Sequence, residues 1–369
     1  MTVLRVIRDL AAGAVILSLL AAGAFTLLPA RPPANLPPPD SVLDMHTHVA
    51  ALGQGCASCF VSSDLTDSYK FAWYLRAFGT DAREMTARGD IAVAEHLRDH
   101  VRNSRFVARA VVLALDGVVD DDGALDREQT QIYVANDYVR DLARQFPEFV
   151  YGASINPYRR DALARLDAAK RDGAVLVKWI PAIMRIDPAD PALDAFYDRL
   201  VALDIPLLVH VGDENAFHHA DNALGDPVRL ARPLERGVRV IAAHLATTGD
   251  NGGEENFTRL LPMFARYPRL LSEESSLTQL NKLGYLTRGL AHPGIAARLL
   301  HGSDWPLQFF PLVWAWWQAP RAPWAELRYA AGLADPLDRD IAIKAALGVP
   351  AAVFTRTATV LGVDLATPE

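Results

Sequence analysis

The stretch "VLDMHTHV" (42–49) ends a short apolar run with two imidazoles, His46 and His48. Side chains at i and i+2 of a strand project from one face. Both rings leave such a strand together and could share a cation; the plainer alternative is two polar residues at a strand end. Four more residues sit where apolar runs stop. Lys178 lies near the end of "AVLVKWI", His210 in "IPLLVHV", His244 at the end of "VRVIAAH" and Asp304 in "LLHGSDW". Each is costly to bury without a partner. Any single one is as readily a hydrogen-bonded structural residue, but six at the ends of five runs point to a shared site. Neutral imidazole and carboxylate are zinc ligands, and catalytic zinc keeps one position for water.

The runs that must position these residues number eight: 42–46, 106–115, 149–156, 174–180, 205–211, 238–244, 269–275 and 297–305. Continuous apolar character suits parallel strands buried on both faces. Amphipathic stretches alternate with them, as over 130–146, 159–172 and 193–204. The last places Leu193, Phe196, Leu200 and Leu203 at helical spacing. Eight βα units predict an α/β fold of the (β/α)8 TIM-barrel type over 42–369, with the active site at the C-terminal strand ends. Residues 49–105 read as an enlarged first βα loop with extra helices. The chain after 306 reads as the eighth helix and a C-terminal helical extension.

The N-terminus has a different character. Arg5 and Arg8 precede a run without charge over 10–30. Its length suits a membrane-spanning helix, and its small residues also suit a cleaved signal peptide. Residues 1–30 are therefore expected to be a signal peptide or an anchor. The Pro-rich segment 31–41 reads as an extended linker. Arginines ahead of the apolar run place the domain outside, on the periplasmic face, anchored to the membrane if the segment is not cleaved.

The chain has 369 residues, of which 51% are hydrophobic and 22% charged, enough for a large core. Its net charge is −7 and no Lys/Arg run is present, which argues against nucleic acid as a partner. Nothing assigns an oligomeric state. Cys56 and Cys59 in "GCASC" are expected to be free thiols or a local disulfide.

With these residues in view, the chain resembles the amidohydrolase superfamily, in its amidohydrolase-related branch of metal-dependent TIM-barrel hydrolases. "DMHTH", "LVKWIP", "LLVHVG", "IAAHLA" and "LLHGSDWP" match its strand motifs in order, over about 42–310. The resemblance implies His46, His48 and Asp304 as metal ligands and His210 as a ligand or water-positioning group. It implies His244 as a second-metal ligand or substrate contact, and Lys178 as a lysine that some members carboxylate to bridge two metals. Zinc fits this set, as one ion or two. A small-molecule substrate follows, attacked by an activated water with Asp304 as general base through a second, free carboxylate oxygen. His210 or His244 would help polarise the substrate carbonyl.

Other residues say less. Trp179, Trp305 and His218 are expected to touch substrate, although a loop histidine is as readily solvated. One of Glu273 and Glu274 is expected to point inward, and His301, three residues before Asp304, outward. "WAWWQAPRAPW" (314–324) reads as packing, a lid or a membrane-interface contact. Three functions stay open: hydrolysis of a small amide, ester or lactone; non-oxidative decarboxylation of an unsaturated or aromatic acid; or non-catalytic binding of a metal or ligand.

Overall fold

The computed structural model describes residues 23–68 and 70–366, with Gly13 and Leu20. Eight parallel strands form a ring: β1 (Val42–His48), β2 (Val107–Leu113), β3 (Phe149–Gly152), β4 (Val177–Trp179), β5 (Leu207–Val209), β6 (Val240–Ala242), β7 (Leu270–Glu273) and β8 (Leu299–Leu300). Each pairs with its sequence neighbour within β1–β3 and within β4–β8. Two parallel bridges close the seams, Ala153 with Val177 and Thr47 with Trp305. The ladders are shorter than the apolar runs. The last residues of each run leave the ladder where the chain turns, and those are the residues that carry the chemistry.

Alternation decides which side chains enter the ring. Leu43, Met45, Val111, Leu176, Leu208, Ile241 and Leu300 form one interior cluster. Val42, Val112, Val177, Val209, Val240 and Leu299 belong to the outer core beneath the helices. Ala358 and Leu361 of the C-terminal helix Ala351–Leu361 join the interior cluster, so this helix packs on the end of the barrel opposite the chemistry. The helix Pro336–Ala346 is tied to the barrel by a fully buried charge group. Lys344 Nζ lies 3.0 Å from Glu274 Oε2 and 2.6 Å from Asp340 Oδ2. His301 Nδ1 lies 2.7 Å from Glu274 Oε1. Glu274 and His301 thus face outward, as expected for His301.

The first βα connection holds the helices Ser63–Thr66, Lys70–Ala77, Ala82–Arg88 and Ile91–Asn103. Cys56 and Cys59 form a disulfide within it. About half of the apolar segment over 10–30 lies outside the described residues. Among the described residues no helix is long and apolar enough to cross a membrane. The Pro-rich segment read as a linker lies on the barrel rather than standing free. Pro33 and Pro37 are buried, Arg31 pairs with Glu326 at 2.9 Å, and the Arg31 N–H donates to the Ala325 carbonyl.

Candidate active site

A cavity of about 400 Å³ opens at the C-terminal ends of the strands. Five of the runs singled out in the sequence deliver residues to it: His46, His48, Lys178, His210, His244 and Asp304 all line it. Simple alternation explains Lys178 above Leu176 and His210 above Leu208.

Three strands reach the cavity by irregularity instead; after β8, Asp304 itself has a φ of 65°. Along β1, Leu43 and Met45 point inward, so unbroken alternation would turn both histidines outward. The pairing shifts between Asp44 and Thr47: Asp44 stands opposite Ala110 and Thr47 opposite Val112. Met45 and His46 therefore share the single residue Val111, a β-bulge that re-aims the strand. In β6 the inward set is Ile241 and Ala243, yet His244 enters the cavity. His244, Leu245 and Ala246 have φ of 55°, 52° and 54°. Such left-handed geometry is costly for residues with a Cβ and clusters at functional sites.

One ligand atom from each of His46, His48 and Asp304 lies within 4.8 Å of the others. Asp304 Oδ1 is 3.2 Å from His48 Nε2 and 3.5 Å from His46 Nε2. Behind them, Glu273 fixes the rings. Its Oε1 lies 3.1 Å from His46 Nδ1 and accepts the His244 N–H at 3.0 Å, while Oε2 accepts the Ser275 N–H at 2.6 Å. A second grouping, His46, His244 and Glu273, has the same compactness. Its Glu273 oxygens are already engaged, and the ring atom it faces on His46 is Nδ1. It therefore orients His46, leaving Nε2 for the cavity. His244 Nδ1 lies 2.8 Å from the Ser275 hydroxyl, which can donate or accept, and 3.1 Å from the Ser275 carbonyl, which only accepts.

The electrostatics suit a cation. Burial, with help from Lys178 and Lys282, pushes the His210 imidazole down to about 3. Burial also pushes His46 and His244 well below the ordinary value. All three rings are neutral at pH 7, the form that ligates. Burial alone would raise Asp304, but His46, His48 and His244 outweigh it and hold the carboxyl well below the usual range. Among the described residues the buried Nε2 of His210 has no hydrogen-bond partner. Three neutral imidazoles, one of them unsatisfied, and a carboxylate fit a divalent metal by donor chemistry and by compactness.

Lys178 is buried with Nζ 3.0 Å from His46 Nε2. Burial lowers its ammonium to about 8, against the pull of Glu273 and Asp304. It stands among the ligands, as the sequence indicated. The second oxygen of Asp304 is not free, however: the Ser276 hydroxyl donates to Oδ2. The carboxylate keeps lone pairs for a further proton, but its orientation is set by Ser276 and, behind it, by Gln279.

Three residues expected to touch substrate do not line the cavity. Trp179 follows Lys178 and so points outward, where its Nε1–H donates to the Ile155 carbonyl and its ring packs near Phe196. Trp305 follows Asp304 and packs against Phe78 behind the cavity wall. The His218 backbone is held by the Gln131 amide, and its ring does not line the cavity. The tryptophans of 314–324 likewise stay off the cavity. Trp316 packs against Phe25 and Trp324.

Two residues were missed. Glu214, four after His210, lines the cavity with Oε2 3.8 Å from His210 Nε2, and burial raises its carboxyl. The spacing to His210 was its only signal. Lys282 lines the cavity from the loop after β7, 8% exposed. No apolar run or motif marks it.

The model of the amidohydrolase family matches residues 43–354. The chain belongs to the amidohydrolase family and is an enzyme of the amidohydrolase type. Solved structures show the same fold. An uncharacterised TIM-barrel protein of Bordetella bronchiseptica is 16% identical, with 87% of this chain and 99% of that one covered and a TM-score of 0.54. A protein of Pseudomonas putida, described as a candidate 2-pyrone-4,6-dicarboxylic acid hydrolase, is 16% identical over 87% of this chain and 97% of that one, with a TM-score of 0.50. No curated protein matches.

Proposed function

We propose that the chain is a metal-dependent hydrolase of a small amide, ester or lactone. The observation that carries this reading is the convergence of His46, His48 and Asp304 within 4.8 Å on the floor of the cavity, with the unsatisfied His210 Nε2 lining the same space. These four residues would hold the ion, and zinc suits their types. When bound, a divalent cation supplies a Lewis acid and lowers the pKa of a water to about 7. The chain supplies the rest. Asp304, ionised and oriented by Ser276, accepts the proton of the attacking water and returns it to the leaving group. Glu273 keeps His46 in one tautomer, and the apolar cavity wall excludes competing water.

Decarboxylation of an unsaturated or aromatic acid is the second reading. The wall from the first βα connection favours it, because Leu75, Phe78 and their neighbours would desolvate a departing carboxylate.

The test is metal content and turnover of the purified chain in a screen of lactones, esters, amides and aromatic acids. About one divalent ion per chain is expected. His48→Ala should lose most of it, while Asp304→Asn should keep the fold and lose at least the roughly 100-fold typical of a removed general base. Full metal and full turnover in His48→Ala would overturn the reading. Release of CO2 from an acid, without hydrolysis of any ester or amide, would select the second reading.

We also propose that the domain is exported. Arg5 and Arg8 ahead of the uncharged run support this, as does the Cys56–Cys59 disulfide, a bond at home in oxidising compartments.

A further inference from the structure

The cavity has two unlike walls. One is apolar and comes from the first βα connection and the chain after β8, with Leu65, Phe71, Leu75, Phe78, Phe309 and Leu312. The other comes from the loop after β7 and presents Ser276, Gln279 and Lys282. Ser276 and Gln279 are engaged with Asp304 and with each other. Lys282 makes no such direct bond, although Asp304, Glu214 and Glu273 lie near enough to act on its charge. It is 92% buried and lines the cavity, yet among the described residues no carboxylate lies within 4.0 Å of its Nζ and no acceptor within hydrogen-bond reach is recorded for it. A buried ammonium without a hydrogen-bonded partner is costly, and the cost is relieved when an anion enters beside it.

The lysine is also held in place. It ends the short 3₁₀ turn Leu280–Lys282, its backbone N–H donates to the Gln279 carbonyl, and the Leu280 N–H donates to the Leu312 carbonyl at 2.8 Å. The turn is thus pinned to the segment that carries Leu312 of the apolar wall. A ligand's charged end and its apolar body would meet surfaces fixed relative to one another.

We propose that Lys282 anchors an anionic group of the substrate, which makes the substrate a small organic anion with an apolar body. The proposal rests on the cavity being the active site, as proposed above, and adds the substrate's charge and shape. Lys282 acts in binding: it holds the non-reacting anionic end while the apolar body lies against Phe71, Leu75 and Phe78. Lys178 is not suited to this role, since its Nζ is already turned to His46 Nε2.

The experiment uses a matched pair of probes, 2-naphthoate and 2-naphthamide, titrated calorimetrically into the purified full chain, before and after dialysis against a chelator. A charge-assisted hydrogen bond at a buried site predicts that the acid binds about tenfold or more tightly than the amide. Lys282→Met should bring the two to within about threefold, chiefly by weakening the acid. Lys282→Arg should keep the preference, and both variants should retain the parental circular dichroism spectrum. Persistence of the preference after chelation separates Lys282 from the metal, and metal content is read independently of this binding. Equal binding of acid and amide to the parent overturns the proposal. So does an unchanged preference in Lys282→Met, or a preference that disappears on chelation. Failure of both probes to bind at millimolar concentration overturns it as well.

Discussion

Lys178 is the residue on which the number of metal ions turns. Its Nζ sits 3.0 Å from the Nε2 of His46 that a metal would need. An ammonium there opposes a divalent cation, so metal loading must turn it away, deprotonate it or convert it to a carbamate. Burial already lowers it to about 8, which makes the neutral amine accessible near physiological pH. We expect about one ion per chain, because Glu273 is engaged in orienting His46 and offers no bridging oxygen. Lys178→Met should then leave the metal count unchanged in plasma emission analysis. A count near two in the parent, falling towards one in the variant, would instead establish a carbamate bridge.

At the scale of elements, the chemistry depends on how the last strands are fastened. Glu273 and Glu274 end β7 and part company: Glu273 serves the metal-ligand rings, while Glu274 enters the buried group with Lys344, Asp340 and His301. Lys344 also donates to the Gly302 carbonyl at 2.7 Å, two residues before Asp304. The helix Pro336–Ala346 thereby positions the chain that presents the carboxylate. Lys344→Met should leave two buried carboxylates without their cation and destabilise the fold by about 3–5 kcal/mol, as for other broken buried pairs. Urea unfolding would measure this. A midpoint equal to the parent's would show that the group contributes nothing to holding the helix on the barrel.

For the molecule as a whole, pH and topology give two expectations. His46, His210 and His244 have folded-state pKa values depressed by burial, His210 to about 3, against about 6.5 in an unfolded chain. Below about 6.5 the unfolded chain binds protons that the folded one does not. The stability these groups contribute is therefore present above that pH and is lost as pH falls towards 3. Denaturant midpoints of chelated protein should fall as pH is lowered below about 6.5, and His210→Asn should flatten the slope. A midpoint independent of pH from 7 to about 4 would contradict this account of the rings. For topology, a reporter active only after export, fused after residue 45, should be active, and one that works only in the cytoplasm should be silent. The reverse pair of results would put the domain inside.

The order of the strands and the identity of the six polar strand-end residues were legible in the sequence, because both follow from local rules. Apolar runs name buried strands, and a polar residue where a run stops is conspicuous for its desolvation cost. The same period of two excluded Trp179 from the cavity, since it follows an inward residue; its size and neighbourhood suggested otherwise. Tertiary structure alone decided three things. The bulge at Met45 and His46 exists because β1 must pair with β2 on one side and meet β8 on the other, and without it both histidines would face the helices. His244 enters through three consecutive left-handed residues, a conformation that no sequence propensity favours. Lys282 lies in a polar loop that reads as surface. It is buried only because the first βα connection and the chain after β8 close over the same cavity, and contacts between segments some 200 residues apart leave no periodic trace in either.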